Sequence, residues 1–272
     1  MLMSDKTGEA TQQLTAGCLQ FNIAMGDVEG NLQKVRDGLQ ALARQGGRLA
    51  VLPEMWSCGF DYRNLATLAA HTPQVVETVA ALSARHDMVV IGSLPELDGD
   101  ALYNTSYLVD RGVVRGRYRK LHLFSPMRED RYLQAGSKTL VADTSVGRIG
   151  LAICYDLRFP ELFRRLTLDG ADVICLSAQW PKPRRDHWCV LTRARAIENQ
   201  VFVLAANCCG VQGKLDFFGS SMILSPRGEV LAEAKDQPCE VLATLDKQAQ
   251  RDYRAAIPAW HDRRPDVYGV LT

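Results

Sequence analysis

Short apolar runs alternate along this chain with amphipathic stretches of helical period, and that rhythm constrains the fold more than any other feature. Residues 16–21 read as a first strand, and a helix follows from about Gly30 with Leu32, Val35, Leu39 and Leu42 on one face. Residues 48–52 form the next strand, closed by Pro53 and Glu54. The amphipathic stretch 73–83 leads into a strand at 88–92. Residues 101–119 alternate about Asp110-Arg111-Gly112, a turn signal that predicts an antiparallel hairpin. The second half repeats the rhythm: strand 149–153, helix 160–169, strand 173–176, helix 188–198 and strand 201–206. Residues 219–224 and 229–232 read as a last hairpin around Ser225-Pro226-Arg227-Gly228. Such alternation predicts a layered α/β fold with helices on both faces of the strands.

No linker, low-complexity segment or charge run divides the chain, so residues 15–250 are expected to form one domain. Residues 1–14 read as a disordered or loosely held N-terminus. Residues 251–272, rich in charge, proline and aromatics, read as a C-terminal arm laid over a surface or a partner. With 272 residues, 47% of them hydrophobic, the chain can bury a sizeable core. A net charge of +1 gives no electrostatic case for nucleic acid or an anionic membrane as partner. No apolar stretch approaches the roughly 18–20 residues of a spanning helix, and the polar N-terminus lacks a signal core. A cytoplasmic location is the expectation.

Eight cysteines stand at 18, 58, 154, 175, 189, 208, 209 and 239, none in a C-x-x-C pair. That pattern predicts free thiols in a reducing compartment and no metal site. Cys154 is set apart by its place. The apolar run 149–153 stops at this thiol, a Tyr-Asp-Leu-Arg turn follows, and Pro160-Glu161 opens a helix. A cysteine at a strand-to-helix elbow is held out of the sheet, with backbone N–H groups of the next element directed at whatever it attacks. Three further residues sit where strands or hairpins end, the usual place for ligands in α/β sheets: Glu54, Lys120 and Glu129.

The segments Pro53-Glu54, Arg119-Lys120-Leu121-His122 and Ile153-Cys154-Tyr155-Asp156-Leu157-Arg158-Phe159-Pro160-Glu161 resemble the nitrilase superfamily of carbon–nitrogen hydrolases. Their separations, 66 positions from Glu54 to Lys120 and 34 from Lys120 to Cys154, fit that family. The resemblance runs from about Gly17 to Thr244. It implies a four-layer αββα sandwich of two mixed sheets, a homodimer or higher homo-oligomer, and no cofactor. It also implies a triad: Glu54 as general base, Lys120 as oxyanion stabiliser and Cys154 as nucleophile. Glu129 would support Lys120 and position the substrate, and the Tyr155 backbone N–H would complete the oxyanion site. The chemistry is coherent on its own terms. A free thiol is only a few per cent ionised at neutral pH, and a neighbouring ammonium favours the thiolate. A partly desolvated glutamate can accept the thiol proton and later activate water.

Two segments, 120–136 and 178–188, resemble the ω-amidase branch, which deamidates 2-oxoglutaramate and related ω-monoamides of dicarboxylates. The expected partner is therefore a small-molecule amide. Phe60, Met127, Arg128, Gln179 and Trp180 are the candidate substrate-binding residues. A dicarboxylate monoamide needs a cation for its distal carboxylate, and Arg128, Arg131, Lys182, Arg184 and Arg185 are available. The same triad would serve an N-carbamoyl amidase, an aliphatic amidase or a nitrilase. A non-catalytic binder of a metabolite or protein is a further alternative, against which the intact triad argues. Simpler roles are expected elsewhere. Arg158 and Glu161 read as a structural pair, as do Arg195 and Glu198, one helical step apart. His122 reads as packing behind the Lys120 loop, and His187 as structural.

Overall fold

The computed structural model describes residues 13–269. The first half holds strands β1 (Gln13–Gln20), β2 (Leu49–Val51), β3 (Val89–Asp98), β4 (Ala101–Asp110) and β5 (Val113–Arg119). Helices α1 (Val28–Arg44), α2 (Leu65–Ala69) and α3 (Thr72–His86) connect β1, β2 and β3. The second half begins with β6 (Val141–Thr144), β7 (Gly147–Ile153), β8 (Val173–Ala178) and β9 (Phe202–Asn207), joined by α4 (Pro160–Leu168) and α5 (Arg185–Asn199). Strands β10 (Cys209–Gln212), β11 (Leu215–Phe218), β12 (Met222–Leu224), β13 (Val230–Glu233) and β14 (Cys239–Asp246) follow, then α6 (Lys247–Ala256) and α7 (Pro265–Tyr268).

Two six-stranded sheets result, ordered β14-β1-β2-β3-β4-β5 and β13-β12-β9-β8-β7-β6. Strands β1, β2 and β3 are parallel, as are β7, β8 and β9, and antiparallel strands flank both groups. The central strands are apolar throughout because both of their faces are buried. Leu49, Val51, Val89 and Ile91 pack with Leu151, Ile153, Cys175 and Val203 of the other sheet. The alternate residues Ala50, Leu52 and Val90 pack with Leu32, Val35, Leu39 and Leu42 of α1 and with Val75 and Val79 of α3. Each fully buried leucine of that stripe contributes roughly 1.5–3 kcal/mol of transfer free energy. On the outer side of the second sheet, α4 comes close over Gly150, where a Cβ would lie 3.2 Å from the Leu166 Cβ.

The expected strands and helices are present, and the β4–β5 hairpin turns where its signal stands. Arg111 and Gly112 have φ of 49° and 86°, the two positive values of a type I′ turn. Strands β6, β10, β11 and β14 and helices α2, α6 and α7 are additions to the sequence reading. Strand β14 pairs with β1 along its whole length, from Gln13 opposite Asp246 to Gln20 opposite Cys239. Most of the segment 1–14 lies outside the described residues; Gln13 and Leu14 open β1. Helix α6 runs across residue 251. Its Gln250 donates to the carbonyls of Asp172 and Gln200, Arg254 pairs with Asp172, and Trp260 donates to the Asn199 carbonyl at 3.0 Å. Residues 270–272 lie outside the described residues.

All eight cysteines are free thiols. Burial pushes the Cys58 thiol up to about 12 and Cys209 to about 11, and raises Cys18, Cys175 and Cys208 as well. Unfolded, such thiols ionise near pH 8.5, so above that the native state holds more protons than the unfolded state. Stability must then fall as pH rises, by up to about 1.4 kcal/mol per pH unit for each thiol. Denaturant unfolding is therefore expected to show a lower midpoint at pH 10 than at pH 8. An equal or higher midpoint at pH 10 would contradict the burial of these groups.

Candidate active site

Strand β7 delivers Cys154 to a sharp elbow. The residue has φ of 44°, a left-handed conformation that a non-glycine residue keeps only when its surroundings enforce it. The enforcement is visible. The Ile153 N–H donates to Asp156 Oδ2 at 2.9 Å, and Arg195 donates from Nε and Nη2 to the Leu157 carbonyl at 3.1 and 2.8 Å. Glu198 holds Arg195 at 2.9 Å, so the Arg195–Glu198 pair is structural, as expected. The Arg158–Glu161 pair does not form. Extended backbone at Phe159 (φ −108°, ψ 94°) separates the turn from α4, so the two side chains share no helix face. Arg158 reaches His187 Nδ1 at 3.1 Å and lies 5.0 Å over the Trp180 ring, while Glu161 is exposed.

Glu54 follows β2 beside Met55, whose φ of 46° is also left-handed and whose N–H donates to Ser93 Oγ at 2.8 Å. Lys120 follows β5. Its N–H donates to the Asn104 carbonyl, and its own carbonyl accepts from Gly136. A Cβ at Gly136 would lie 2.2 Å from the Arg119 carbonyl oxygen, so only glycine closes over this strand end. Glu129 opens a short helical turn after Arg128, where φ is 59°. Strained residues thus stand at or beside Glu54, Glu129 and Cys154.

These elements bring the charged groups together in the interior. Lys120, 1% exposed, places Nζ 2.8 Å from Glu54 Oε1 and 2.9 and 2.8 Å from the two Glu129 oxygens. Asn104 Nδ2 donates to Glu54 Oε1 at 2.8 Å, the Gln179 N–H to Glu54 Oε2 at 3.0 Å, and the Phe124 N–H to Glu129 Oε2 at 2.7 Å. The Gln179 carbonyl faces Cys154 Sγ at 3.8 Å, so Gln179 links the thiol and the Glu54 carboxylate. The basic run around Lys120 would ordinarily be a solvated face. Here Arg119 turns outward to Glu96 and Asp98, and Lys120 turns in.

Burial acts on Lys120 against its charge, but the Glu54 and Glu129 carboxylates outweigh it and hold the ammonium well above its usual range. Burial also pushes the Glu54 carboxyl up, against the pull of Lys120. The Cys154 thiol is raised by burial first and by Glu54 next; Lys120 pulls the other way and loses. The expectation that the ammonium would acidify the thiol has the correct direction for that one interaction and the wrong net result. Cys154 rests as a neutral thiol. A thiolate would add a third negative charge beside one cation, whereas passing the proton to Glu54 leaves the net charge of the cluster unchanged.

Sγ opens on a cleft lined by Phe124, Cys154, Tyr155, Arg158, Trp180, Pro181 and Arg184. Of the candidate substrate-binding residues, Trp180 lines this cleft and Gln179 is a buried brace beside it. Phe60, Met127 and Arg128 do not line it: Phe60 packs beside Tyr62, Met127 is half-buried in a short turn and Arg128 is exposed. Of the cations considered for a distal carboxylate, Arg184 borders the cleft, 5.2 Å over the Phe124 ring. Lys182 is paired with Asp216, and with Arg185 it lines a separate, larger cavity that contains none of Glu54, Lys120, Glu129 and Cys154. Sequence reasoning missed Asn104 and the cleft role of Arg158. The signal for Asn104 was three consecutive polar residues, Asn104-Thr105-Ser106, in mid-strand, all of them buried. Among the described residues no group of three or more His, Cys, Asp or Glu side chains is placed to hold a metal, and no helix is long and apolar enough to cross a membrane.

This geometry sets a thiol at an elbow beside a buried Glu–Lys–Glu cluster, an arrangement that can carry out acyl transfer through the thiol. Residues 15–255 match the carbon–nitrogen hydrolase family, and the chain belongs to it. It is 40% identical to the 2-oxoglutaramate amidase of Bacillus subtilis (strain 168), over 93% of this chain and 99% of that one. It is 33% identical to omega-amidase YafV of Escherichia coli (strain B / BL21-DE3), covering 90% and 94%. Saccharomyces cerevisiae Nit3, a member of branch 10 of the nitrilase superfamily, has a crystal structure that superposes with a TM-score of 0.86. The two are 28% identical, over 94% of this chain and 98% of that one. The protein is thus a hydrolase of carbon–nitrogen bonds other than peptide bonds, with the αββα sandwich of that superfamily.

Proposed function

We propose that the protein deamidates an ω-monoamide of a small dicarboxylate, 2-oxoglutaramate or a close analogue, through a thioester on Cys154. The Cys154 proton passes to Glu54 as Sγ attacks the amide carbonyl. The oxyanion forms against the Lys120 ammonium and the Tyr155 N–H, donors each commonly worth about 3–4 kcal/mol in such sites. Glu129 and Asn104 fix Lys120 and Glu54. Glu54 then gives its proton to the departing nitrogen, and ammonia leaves. Water, deprotonated by Glu54, attacks the thioester; the C–S bond breaks, Glu54 returns its proton to Sγ, and the acid product leaves and ionises, its proton passing to solvent or to the released ammonia.

The observation that carries the substrate class is the pair of guanidiniums, Arg158 and Arg184, at the rim of the Cys154 cleft. A simple aliphatic amide has no use for them, whereas a distal carboxylate does. The names of the amidase relatives point the same way. The test is ammonia release from 2-oxoglutaramate, succinamate, glutamine, an aliphatic amide, an N-carbamoyl amine and a nitrile. The ω-monoamides should lead. Arg184→Ala should lower kcat/KM for them by about 10-fold or more, the value of a charged hydrogen bond, while leaving the aliphatic amide unchanged. Equal losses on both substrates would remove Arg184 from carboxylate recognition.

A further inference from the structure

Asp156 is buried, and its carboxylate accepts four hydrogen bonds, two at each oxygen. Oδ2 accepts from the Ile153 N–H at 2.9 Å and the Tyr118 hydroxyl at 2.7 Å. Oδ1 accepts from the His122 N–H at 3.1 Å and lies 2.7 Å from the ring Nδ1 of the same histidine. A carboxylate that only capped its own turn would satisfy the N–H groups of that turn. This one takes three of its four donors from another part of the chain. Tyr118 stands two residues before Lys120 and His122 two residues after it, while Ile153 immediately precedes Cys154.

We propose that Asp156 is a positioning residue of the reaction: its carboxylate staples the segment bearing Lys120 to the segment bearing Cys154. Lys120 follows β5 and Cys154 follows β7, strands of different sheets, and among the described residues no backbone ladder joins the two strands. The staple joins them, bracketing Lys120 on both sides. A ring chain reinforces it: His122 stacks on Phe159 at 3.6 Å, Phe159 meets Tyr155 edge-on at 5.3 Å, and Tyr155 meets Phe124 at 4.8 Å. The path thus leaves the Lys120 loop at His122, crosses the elbow and returns to the loop at Phe124. The Ile153 bond also helps hold Cys154 at its strained φ. A shift of about 1 Å between reacting groups costs on the order of 100-fold in rate, so such a staple acts on catalysis and not on substrate affinity.

This inference rests on the thioester mechanism above, and its test is built to fail separately from it. Turnover by the wild-type enzyme reports on the mechanism; the ratio of variant to wild type reports on Asp156. Asp156→Asn keeps the shape but turns an N–H₂ toward the Ile153 N–H. It is expected to lower kcat by on the order of 100-fold with KM unchanged within about 3-fold. The pH profile of Cys154 alkylation, followed by peptide mass mapping, should move to higher pH as Lys120 is released from the thiol. Tyr118→Phe loses one oxygen, keeps its ring packed, and should show the same pattern at about 10-fold. Combined, the two should cost less than the product of their separate effects, since both act through one carboxylate. If Asp156→Asn does not fold, Tyr118→Phe alone decides. Wild-type kcat in a folded variant, or KM rising in step with the loss and an unmoved alkylation profile, would overturn the proposal.

Discussion

Lys120→Met is expected to abolish turnover and to lower the unfolding free energy at neutral pH by about 3–5 kcal/mol, the usual cost of removing one partner from a buried ion pair. The reason is geometric. Glu54 and Glu129 both face Nζ within 2.9 Å, and both are buried. Without the ammonium, two carboxylates share an interior space, and one must take up a proton to remain there. Acid supplies that proton, so the deficit in stability should shrink as pH falls. Urea unfolding of wild type and variant at pH 7 and pH 5 measures both effects. Lys120→Arg keeps the charge but replaces a compact ammonium with a planar fork, and it should remain severely impaired. A stable, active Lys120→Met enzyme would refute the cluster as described.

The second large effect is at the nucleophile. Cys154→Ala should abolish turnover on every amide, since no other group at the elbow can form the acyl intermediate. Stability should stay within about 1 kcal/mol of wild type, because the change removes a single sulfur and leaves the Asp156 and Arg195 contacts with the elbow intact. The combination separates the nucleophile from the bracing residues around it.

How much of this was legible in the sequence follows from where each residue sits. Glu54, Lys120 and Cys154 each end an element, so the local pattern marks them before any partner is known. Alternation predicts the layers of strands and helices but not the order of strands within each sheet. Strand β14 was not readable: its half-polar sequence Cys-Glu-Val-Leu-Ala-Thr-Leu-Asp becomes a strand only because β1, more than 200 residues earlier, offers an edge. Asn104 reads as an ordinary hairpin residue because its contacts are with two carboxylates from other segments. Spacing pairs Arg158 with Glu161, and one extended residue at Phe159 is enough to redirect it to His187 and Trp180. The net charge state of Cys154 was out of reach because burial, which no sequence pattern measures, outweighs the lysine. Spacing finds the groups proposed to react; their braces and their acidities are properties of the packed interior.

The central claim is a thioester at Cys154, and intact mass spectrometry of enzyme quenched in acid during turnover of 2-oxoglutaramate tests it most directly. The account predicts a mass increase equal to the acyl group, mapped to the Cys154 peptide and absent from Cys154→Ala. Steady ammonia release with no adduct at Cys154, or with the adduct on another cysteine, would contradict it.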